Sequence, residues 1–375
     1  MLRIIKCFLI CIVSLIFFCS CAQNSEEHDP DYAKQWALLN EGPNSEMEID
    51  ASFCRTTNIE KGIDIDFDEM CDALEITKAK KEVVVAIVDT GIDFSSKDLE
   101  GLQWINPSEI ENNGIDDDNN GKIDDYCGWN FITNSHIIQG KEQAQEDDHG
   151  TVSAGIIAAK KNGYGIEGIT RGYNIKLMPL KVLGTNYKEG EGRISNVIEA
   201  IKYADRMGAS ICNLSLGTNE DVPGLYEVIK NSKMLFVTSA GNNPGLLRMN
   251  IDKKNQFPAS YDLPNLITVA NISFDGDLYP ESNYGPTCVD LAAPGTNIFS
   301  TTIEGKYIYS TGTSFAAPYV TGVAAVLYQY MDHPSPKLVK KAICDSVTSL
   351  PSLNGLVRTG GMLNAHNAIL LGIQN

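Results

Sequence analysis

Basic side chains are scarce in this chain compared with acidic ones. Its 375 residues include 30 Lys and Arg against 48 Asp and Glu, which gives a formal net charge of −18 at pH 7. A protein that binds nucleic acid through phosphate contacts needs a basic face, so we predict no nucleic-acid partner. The chain also lacks a repeat with a period of about 20 to 50 residues, which argues against a solenoid or a propeller. Because 43% of its residues are apolar, it can bury a sizeable core.

The sequence has no apolar run of the length that a bilayer span requires. Arg3 and Lys6 precede its most apolar stretch, Cys7–Phe18, which is about 12 residues long against the roughly 20 that a span needs. A basic start, a short apolar segment and small residues at its end are typical of a secretory signal peptide. We therefore predict a signal peptide over residues 1–20 and export of the rest.

The end of this segment, Phe18-Cys19-Ser20-Cys21, resembles a bacterial lipobox, in which the last cysteine is lipidated and becomes the new N-terminus. Phe18 stands where Leu is preferred, so a plain cleaved signal and an uncleaved anchor are the alternatives. We predict lipidation of Cys21, attachment to the membrane through that lipid, and a place in the envelope or at the surface of a bacterial cell. The acidic stretch Ser25-Glu26-Glu27-His28-Asp29 predicts a solvated tether over residues 21–34.

The cysteine spacing typical of zinc sites is absent. No C-x-x-C pair occurs, so a zinc site built on cysteine is not expected. Export to an oxidising compartment permits disulfides. Cys54 and Cys71 form a plausible local pair, although pairing cannot be read from a sequence. Cys212 and Cys344 lie inside apolar patterns, which favour buried thiols.

Apolar strands alternate with helices from residue 82 onward. Glu82–Val88 is a continuous, mostly β-branched run, as expected of a strand covered on both faces. The alternation predicts an α/β fold, a three-layer sandwich with a mostly parallel central sheet. No low-complexity linker divides residues 31–375, so one domain is predicted there. Further strands are predicted over 175–182, 210–216, 234–239, 266–270 and 289–292, and helices over 151–160, 194–207, 225–232 and 314–331.

Three short stretches place reactive side chains at the ends of these elements. In Ile87-Val88-Asp89-Thr90-Gly91 a strand ends on an acid, at the edge where functional groups of α/β sheets cluster. Asp148-His149-Gly150-Thr151 places one of only five histidines at the opening of a helix. Gly312-Thr313-Ser314-Phe315-Ala316-Ala317-Pro318 places a serine at a helix N-terminus, where backbone N–H groups and the helix dipole stabilise negative charge. An acid, a base and a nucleophile in these contexts indicate nucleophilic catalysis.

These stretches resemble the three catalytic motifs of the subtilisin-like serine proteases (subtilases, peptidase family S8), which are Asp-Thr-Gly, His-Gly-Thr and Gly-Thr-Ser-x-Ala-x-Pro. Each motif is intact here, and the order Asp, His, Ser is the subtilisin order. The resemblance runs from about Gln35-Trp36 to Gly361-Met362-Leu363-Asn364-Ala365, and it implies a subtilisin-like catalytic domain over residues 35–375. About a dozen residues separate Cys21 from Gln35, too few for the inhibitory prodomain of many secreted members.

The resemblance implies a role for each matching residue. Ser314 is expected to attack the scissile carbonyl after His149 takes its proton, while Asp89 holds the imidazole in the correct tautomer. Asn242, in a segment that resembles the family's oxyanion hole, is expected to donate from its side chain. Taken singly, Ser314 would also suit a helix cap, and Asn242 would also suit a turn after a strand.

Substrate binding is expected along two stretches that, taken singly, suit ordinary core strands. One is implied to pair with the substrate backbone, and the other to form a wall of the primary specificity pocket. Their small residues would leave room for a medium or large P1 side chain, P1 being the residue whose carbonyl is attacked. The stretch expected to pair with the substrate is Ser215, Leu216 and Gly217. The stretch expected to form the pocket wall is Ser239, Ala240 and Gly241.

An acidic insertion, residues 112–125, separates the Asp motif from the His motif. From Asp116 onward, oxygen-bearing side chains occupy every second position, and Gly121 stands at the sixth, as at the start of an EF-hand loop. Cys127 occupies the place of the closing Glu, so a complete EF-hand is excluded. Crowded hard oxygen ligands favour Ca²⁺, and a solvated acidic loop is the alternative. We predict a structural calcium site whose ligands are Asp116, Asp118, Asn120 and Asp124, with Asp125 as the alternative to Asp124.

Together the motifs predict a monomeric serine endopeptidase that acts on polypeptide substrates through an acyl-enzyme intermediate, with no cofactor for catalysis. A second hypothesis is a catalytically inactive, calcium-stabilised binding protein on the same fold, although no motif residue is replaced. A third is a dedicated maturase that cuts one exported peptide.

Overall fold

Strands and helices alternate along the chain as its apolar pattern predicts. The computed structural model describes residues 28–49, 54, 57–75, 79, 81–138, 148–184, 193–245 and 247–374. The predicted signal peptide, residues 1–20, and the predicted lipidation site Cys21 lie outside these ranges. The strands are β1 (Val83–Asp89), β2 (Trp129–Asn130), β3 (Ile175–Lys181), β4 (Ile211–Leu214), β5 (Leu235–Ser239), β6 (Leu266–Ile272), β7 (Leu291–Pro294), β8 (Ile298–Thr301), β9 (Tyr307–Ser310), β10 (Thr348–Ser349) and β11 (Gly361–Met362).

Nine of these strands form one sheet in the order β10-β11-β7-β6-β5-β4-β1-β3-β2. All neighbours in it are parallel except β10 and β11, which are antiparallel. Strands β8 and β9 form a separate antiparallel hairpin. The prediction of a mostly parallel α/β sheet is confirmed, and the carboxyl ends of its parallel strands meet at one edge.

β1 is buried on both faces because its alternate side chains enter two different cores. Val83, Val85 and Ile87 belong to one apolar cluster, and Ala86 and Val88 belong to another. Successive side chains of a strand point to opposite faces. A strand between two helical layers therefore has to be apolar at nearly every position, which explains the uninterrupted run in the sequence.

Helices cover both faces of the sheet and complete the three layers. Two of them, α2 and α5, contribute to the core that receives Val85, and α3 and α4 contribute to the core that receives Val88. None of the described helices is both long and apolar enough to cross a bilayer. The helices are α1 (Phe67–Glu75), α2 (Asp148–Ala158), α3 (Ile194–Arg206), α4 (Pro223–Asn231), α5 (Thr313–Tyr330), α6 (Pro336–Cys344) and α7 (Ala365–Ile373).

The N-terminal segment is docked on the body of the protein from His28 onward, which corrects the prediction of a solvated tether for residues 28–34. Asp29 is only 4% exposed. Its carboxylate accepts the backbone N–H groups of Asn162 and Gly163, at 3.1 and 2.6 Å. The acidic residue that suggested a solvated stretch is satisfied by backbone donors far away in sequence.

His28 is held between two carboxylates. Its Nδ1 lies 3.0 Å from the fully buried Glu167, and its Nε2 lies 3.5 Å from Asp68. Burial alone would lower the pKa of this imidazole, but the hydrogen bonds and charges of Asp68 and Glu167 outweigh burial and raise the pKa to about 9. The folded protein therefore keeps His28 charged at neutral pH.

We expect His28→Gln to lower the free energy of unfolding by about 1–3 kcal/mol at pH 6, because it removes charge-assisted hydrogen bonds from a mostly buried group. The pKa is raised on folding, so this contribution is complete below the ordinary pKa of about 6.5 and is lost as the pH rises through about 9. Urea unfolding of the wild-type protein and of His28→Gln at pH 6 and pH 10 measures this difference in the free energy of unfolding. His333→Gln, at an exposed position, is the control. A difference that is the same at both pH values would contradict the assignment.

The structure contains no disulfide between Cys54 and Cys71, so the suggested local pair is wrong. Cys212 is fully buried, as its apolar context predicts, and Cys344 is partly buried.

Candidate active site

Asp89 and His149 meet at the carboxyl edge of the sheet. Asp89 ends β1, and His149 is the second residue of α2. Nδ1 of His149 lies 2.8 Å from Oδ1 and 2.9 Å from Oδ2 of Asp89. Asp89 is 1% exposed, and its Oδ1 also accepts the backbone N–H of Thr90 at 2.7 Å. The imidazole keeps 29% of its side-chain surface exposed, so its other edge can be reached by a substrate.

The carboxylate of Asp89 also governs the protonation of His149. Burial by itself would lower the pKa of His149, but the charge and the hydrogen bond of Asp89 outweigh it and raise that pKa above its usual value. A neutral imidazole that donates from Nδ1 to Asp89 carries its lone pair on Nε2. This tautomer can accept a proton at the exposed edge of the ring.

A glycine allows α2 to approach the turn after β1 closely enough for this pairing. A Cβ added to Gly150 would lie 2.1 Å from the carbonyl oxygen of Gly91. The N–H of Gly150 donates to Oγ1 of Thr90 at 3.0 Å. The residues that flank Asp89 and His149 in their motifs thus hold the two elements together.

Ser314 lies in the first turn of α5, beside the end of β4. Its Oγ donates to the backbone carbonyl of Ser215 at 3.4 Å, and Oγ of Ser215 donates to the carbonyl of Ser314 at 2.9 Å. The ring of Phe315, the next residue, lies 5.1 Å from the imidazole of His149 between centroids. The structure therefore brings Ser314 to the same edge of the sheet as His149.

Asn242 follows β5 and contacts the first turn of α5. Its Oδ1 accepts the backbone N–H of Thr313 at 3.0 Å and the hydroxyl of Thr313 at 3.2 Å. Because both bonds use the oxygen, the amide nitrogen is the atom available to donate. A Cβ added to Gly312 would lie 3.4 Å from that nitrogen, so the amide donor lies beside the helix N-terminus that carries Ser314.

A cavity of about 280 Å³ opens beside Ser314. Two of its walls follow the ends of β4 and β5, which are neighbouring parallel strands. Ala240 does not line it: this residue is buried, and its carbonyl accepts a hydrogen bond from Asn283. The predicted residues that do line it are Ser215, Leu216, Gly217, Ser239, Gly241 and Asn242.

The same cavity has a side that sequence reasoning missed. It is formed by a segment before β6 whose Phe257 is bridged to Thr218 by two backbone hydrogen bonds of 2.8 Å. No motif marks this segment, so only the folded chain shows that it faces Ser314. The additional lining residues are Thr218, Asn219, Gln256, Phe257 and Ala259.

Most of the chain matches a known protein family. Residues 80–362 match the family model described as the subtilase family. The chain belongs to the subtilase family. The resemblance of its three motifs to those of subtilases is thereby confirmed at the level of the family.

Individual relatives of this subtilase are proteases. It is 29% identical over 330 residues to subtilisin-like protease 1 of Plasmodium berghei, covering 83% of this chain and 53% of that protein. It is 32% identical over 281 residues to the major intracellular serine protease of Bacillus subtilis, covering 71% and 77%. A solved structure described as proteases from Pseudoalteromonas arctica PAMC 21717 has a TM-score of 0.66 and 25% identity, covering 92% of this chain and 99% of that one. The chain spans about half the length of the Plasmodium relatives.

Three carboxylates converge in the acidic insertion of this subtilase and just before it. Glu109, Asp118 and Asp125 each present an oxygen, and these atoms lie within 4.8 Å of one another. Glu109 is 6% exposed and Asp125 is fully buried. Oε2 of Glu109 and Oδ1 of Asn120 are buried and have no hydrogen-bond partner in the structure. Negative charge and unsatisfied oxygen atoms are thus concentrated at one point.

The predicted calcium ligands divide into two groups. Asp118 is part of the carboxylate cluster, and the amide of Asn120 donates to Asp125 at 2.8 Å. Asp116 instead accepts backbone N–H groups at 2.8 and 2.9 Å, and Asp124 does so at 2.9 to 3.2 Å. Sequence reasoning missed Glu109, because it precedes the Asp-rich pattern, and named Asp125, which belongs to the cluster, only as the alternative to Asp124.

Proposed function

We propose that this subtilase is a serine endopeptidase that hydrolyses peptide bonds of polypeptide substrates. The observation that supports it most strongly is the hydrogen-bonded pair of Asp89 and His149 at the edge of the sheet where Ser314 and Asn242 border one cavity. An oriented base, a hydroxyl and an amide donor beside a helix N-terminus are the parts that acyl transfer requires.

In the proposed first step, Nε2 of His149 takes the proton of the Ser314 hydroxyl while Oγ attacks the scissile carbonyl. Asp89, held by its bond from Nδ1, stabilises the imidazolium that forms. The amide nitrogen of Asn242 and the backbone N–H of Ser314 donate to the oxyanion, because the first N–H groups of a helix have no partner within it. His149 then gives its proton to the leaving amine, which leaves an acyl group on Ser314.

In the second step, water attacks the acyl group and His149 again serves first as base and then as acid. The backbone of Ser215, Leu216 and Gly217 continues from β4, and we propose that an extended substrate pairs with it as an added strand. Reading the substrate main chain in this way leaves side-chain selection to the cavity beside Ser314.

A fluorophosphonate probe tests this function directly, because it labels only an activated serine. The wild-type protein should be labelled and Ser314→Ala should not. The second hypothesis, an inactive binding protein, predicts that neither is labelled. A dedicated maturase would be labelled but would cleave few members of a peptide library.

We also propose that a Ca²⁺ ion is held by Glu109, Asp118, Asn120 and Asp125. The donor set supports a hard cation, because it combines three carboxylates, one of which has an oxygen without a hydrogen-bond partner, with the unsatisfied amide oxygen of Asn120. The ion would balance the negative charge of the carboxylates and coordinate the oxygen atoms that have no hydrogen-bond partner. Asp125 also accepts the hydroxyl of Tyr203 at 2.6 Å, so the ion would fix the insertion against α3.

We expect chelation of calcium with EDTA to lower the melting temperature of the wild-type protein, and calcium, but not magnesium, to restore it. Free calcium at about 100 times its Kd adds about 2.7 kcal/mol to the free energy of unfolding. Asp118→Asn should lose most of this response. Asp117→Asn is the matched control, since its carboxylate accepts from Ile110 and Asn113 and lies outside the cluster. A melting temperature that EDTA does not change would overturn the proposal.

Finally, we propose that residues 1–20 direct export, that Cys21 carries a lipid, and that the enzyme acts as a monomer at the bacterial cell envelope or surface. The lipobox-like segment supports the lipid. Six residues separate Cys21 from the docked His28, so the lipid would hold His28 within about 25 Å of the membrane. Release of Cys21→Ser into the soluble fraction would support the anchor, and its continued sedimentation with membranes would not.

A further inference from the structure

We propose that the cavity beside Ser314 selects an uncharged polar P1 side chain that accepts a hydrogen bond, and that Gln256 makes this selection. The inference rests on the proposed protease function, since P1 is defined by the attack of Ser314. None of the described residues that line the cavity carries a charged side chain. A Lys, Arg, Asp or Glu at P1 would therefore find no partner for its charge there.

Gln256 lines the same cavity as Ser314 and contacts two of its walls. The wall that follows β4 begins at Ser215, which contacts Ser314, and ends at Asn219, whose Oδ1 accepts from Nε2 of Gln256 at 3.3 Å. The facing wall also reaches Gln256, because a Cβ added to Gly241 would lie 2.2 Å from its Oε1. Gly241 has a φ of +84°, which favours glycine. The side chain of Gln256 thus contacts both walls. It occupies part of the space that the small residues of the walls leave for a P1 side chain.

The orientation of the Gln256 amide is fixed by a buried neighbour. Asn283 is fully buried, and its Oδ1 accepts the backbone N–H of Met249 at 3.2 Å. Its Nδ2 therefore donates, to the carbonyl of Ala240 at 3.2 Å and to Oε1 of Gln256 at 3.1 Å. With its oxygen held by Asn283, Gln256 turns Nε2 toward Asn219 and the cavity. One N–H of Nε2 serves Asn219, and the other is available to a substrate.

An oriented amide donor in the wall of an uncharged pocket favours a substrate atom that can accept its hydrogen bond. A P1 glutamine offers such an atom, its side-chain carbonyl oxygen. Methionine has a similar length but only a weak acceptor. A P1 leucine or phenylalanine would cover the N–H of Gln256 and leave it without a partner, which is unfavourable in a desolvated site.

The test uses the full-length protein and six peptides that differ only at P1: Gln, Met, Leu, Phe, Lys and Glu. We expect kcat/KM for the Gln peptide to exceed that for the Met peptide about 3- to 10-fold, with Phe, Lys and Glu lower still. Gln256→Glu keeps the shape and the acceptor for Asn283 but replaces the donor with a negative charge. It should raise the Lys-to-Gln ratio of kcat/KM at least about tenfold.

Two results would overturn the inference: a wild-type preference for Phe or Leu over Gln, or a Lys-to-Gln ratio that Gln256→Glu leaves unchanged. The wild-type ratios stand on their own if the variant does not fold. Failure of the proposed function looks different, because fluorophosphonate would then not label Ser314 and no peptide would be cleaved. Labelling of Ser314 without cleavage of any of the six peptides counts against the P1 assignment alone.

Discussion

Ser314→Ala should lower kcat for peptide hydrolysis by roughly 10⁶-fold, the size of the effect of removing the triad serine in subtilisin, a member of the same family. Without the hydroxyl, no acyl group can form, and only binding and the oxyanion donors remain to assist attack by water. KM should change little, because the cavity and the strand beside it are kept. Initial rates with a well-cleaved fluorogenic peptide measure both constants.

The control for this experiment is Ser349→Ala, an exposed serine in β10 at the far edge of the sheet. It should hydrolyse peptide at the wild-type rate. If Ser314→Ala kept activity within tenfold of the wild type, another nucleophile would have to be sought and the mechanism proposed here would be wrong.

Asp89→Asn should lower kcat at neutral pH by about 10⁴-fold. The carboxylate now accepts from Nδ1 of His149 at 2.8 Å. An amide in its place can present its NH₂ group instead, which favours the tautomer with the proton on Nε2, where it cannot accept from Ser314. Asp277→Asn, an exposed surface carboxylate, is the control and should have wild-type activity.

The pH profile provides a second readout of Asp89→Asn. His149 has to be neutral to act as a base, and its pKa is raised above the usual value. Wild-type kcat/KM should therefore rise with pH through a midpoint above about 6.5. Removing the charge of Asp89 leaves burial to lower the pKa of His149, so the midpoint of the variant should move to lower pH. A midpoint that stays in place would show that Asp89 does not act through His149.

The fold and the core of the candidate site could be predicted because their signals are local. β1 is visible in sequence because two cores require an apolar residue at nearly every position, and helix α5 begins one residue from its predicted start. Asp89, His149 and Ser314 each lie in a short motif at the end of an element. Their roles stay predictions, although the structure brings the first two into hydrogen-bond contact.

The parts that could not be predicted depend on contacts between distant segments. Nothing near Gln256 in sequence indicates that Asn283 orients its amide. Glu109 joins the acidic cluster only because the loop folds back on itself. Asp29 looked solvated because its partners, the N–H groups of residues 162 and 163, belong to the backbone and leave no mark in a side-chain pattern.

The docking of the N-terminal segment also bears on how the proposed protease resists cleavage by other copies of itself. Trp36 donates to the carbonyl of Thr296 at 2.9 Å, and Asn364 donates to Asp66 at 2.6 Å. The N–H of Ala365 donates to the carbonyl of Ile65 at 2.7 Å. Chain ends are where fraying and nicking usually begin, and here residues 364 and 365, near the C-terminus, are hydrogen-bonded to residues 66 and 65. Because these two segments hold each other in place, we expect the proposed protease to be cut there only after both have been released.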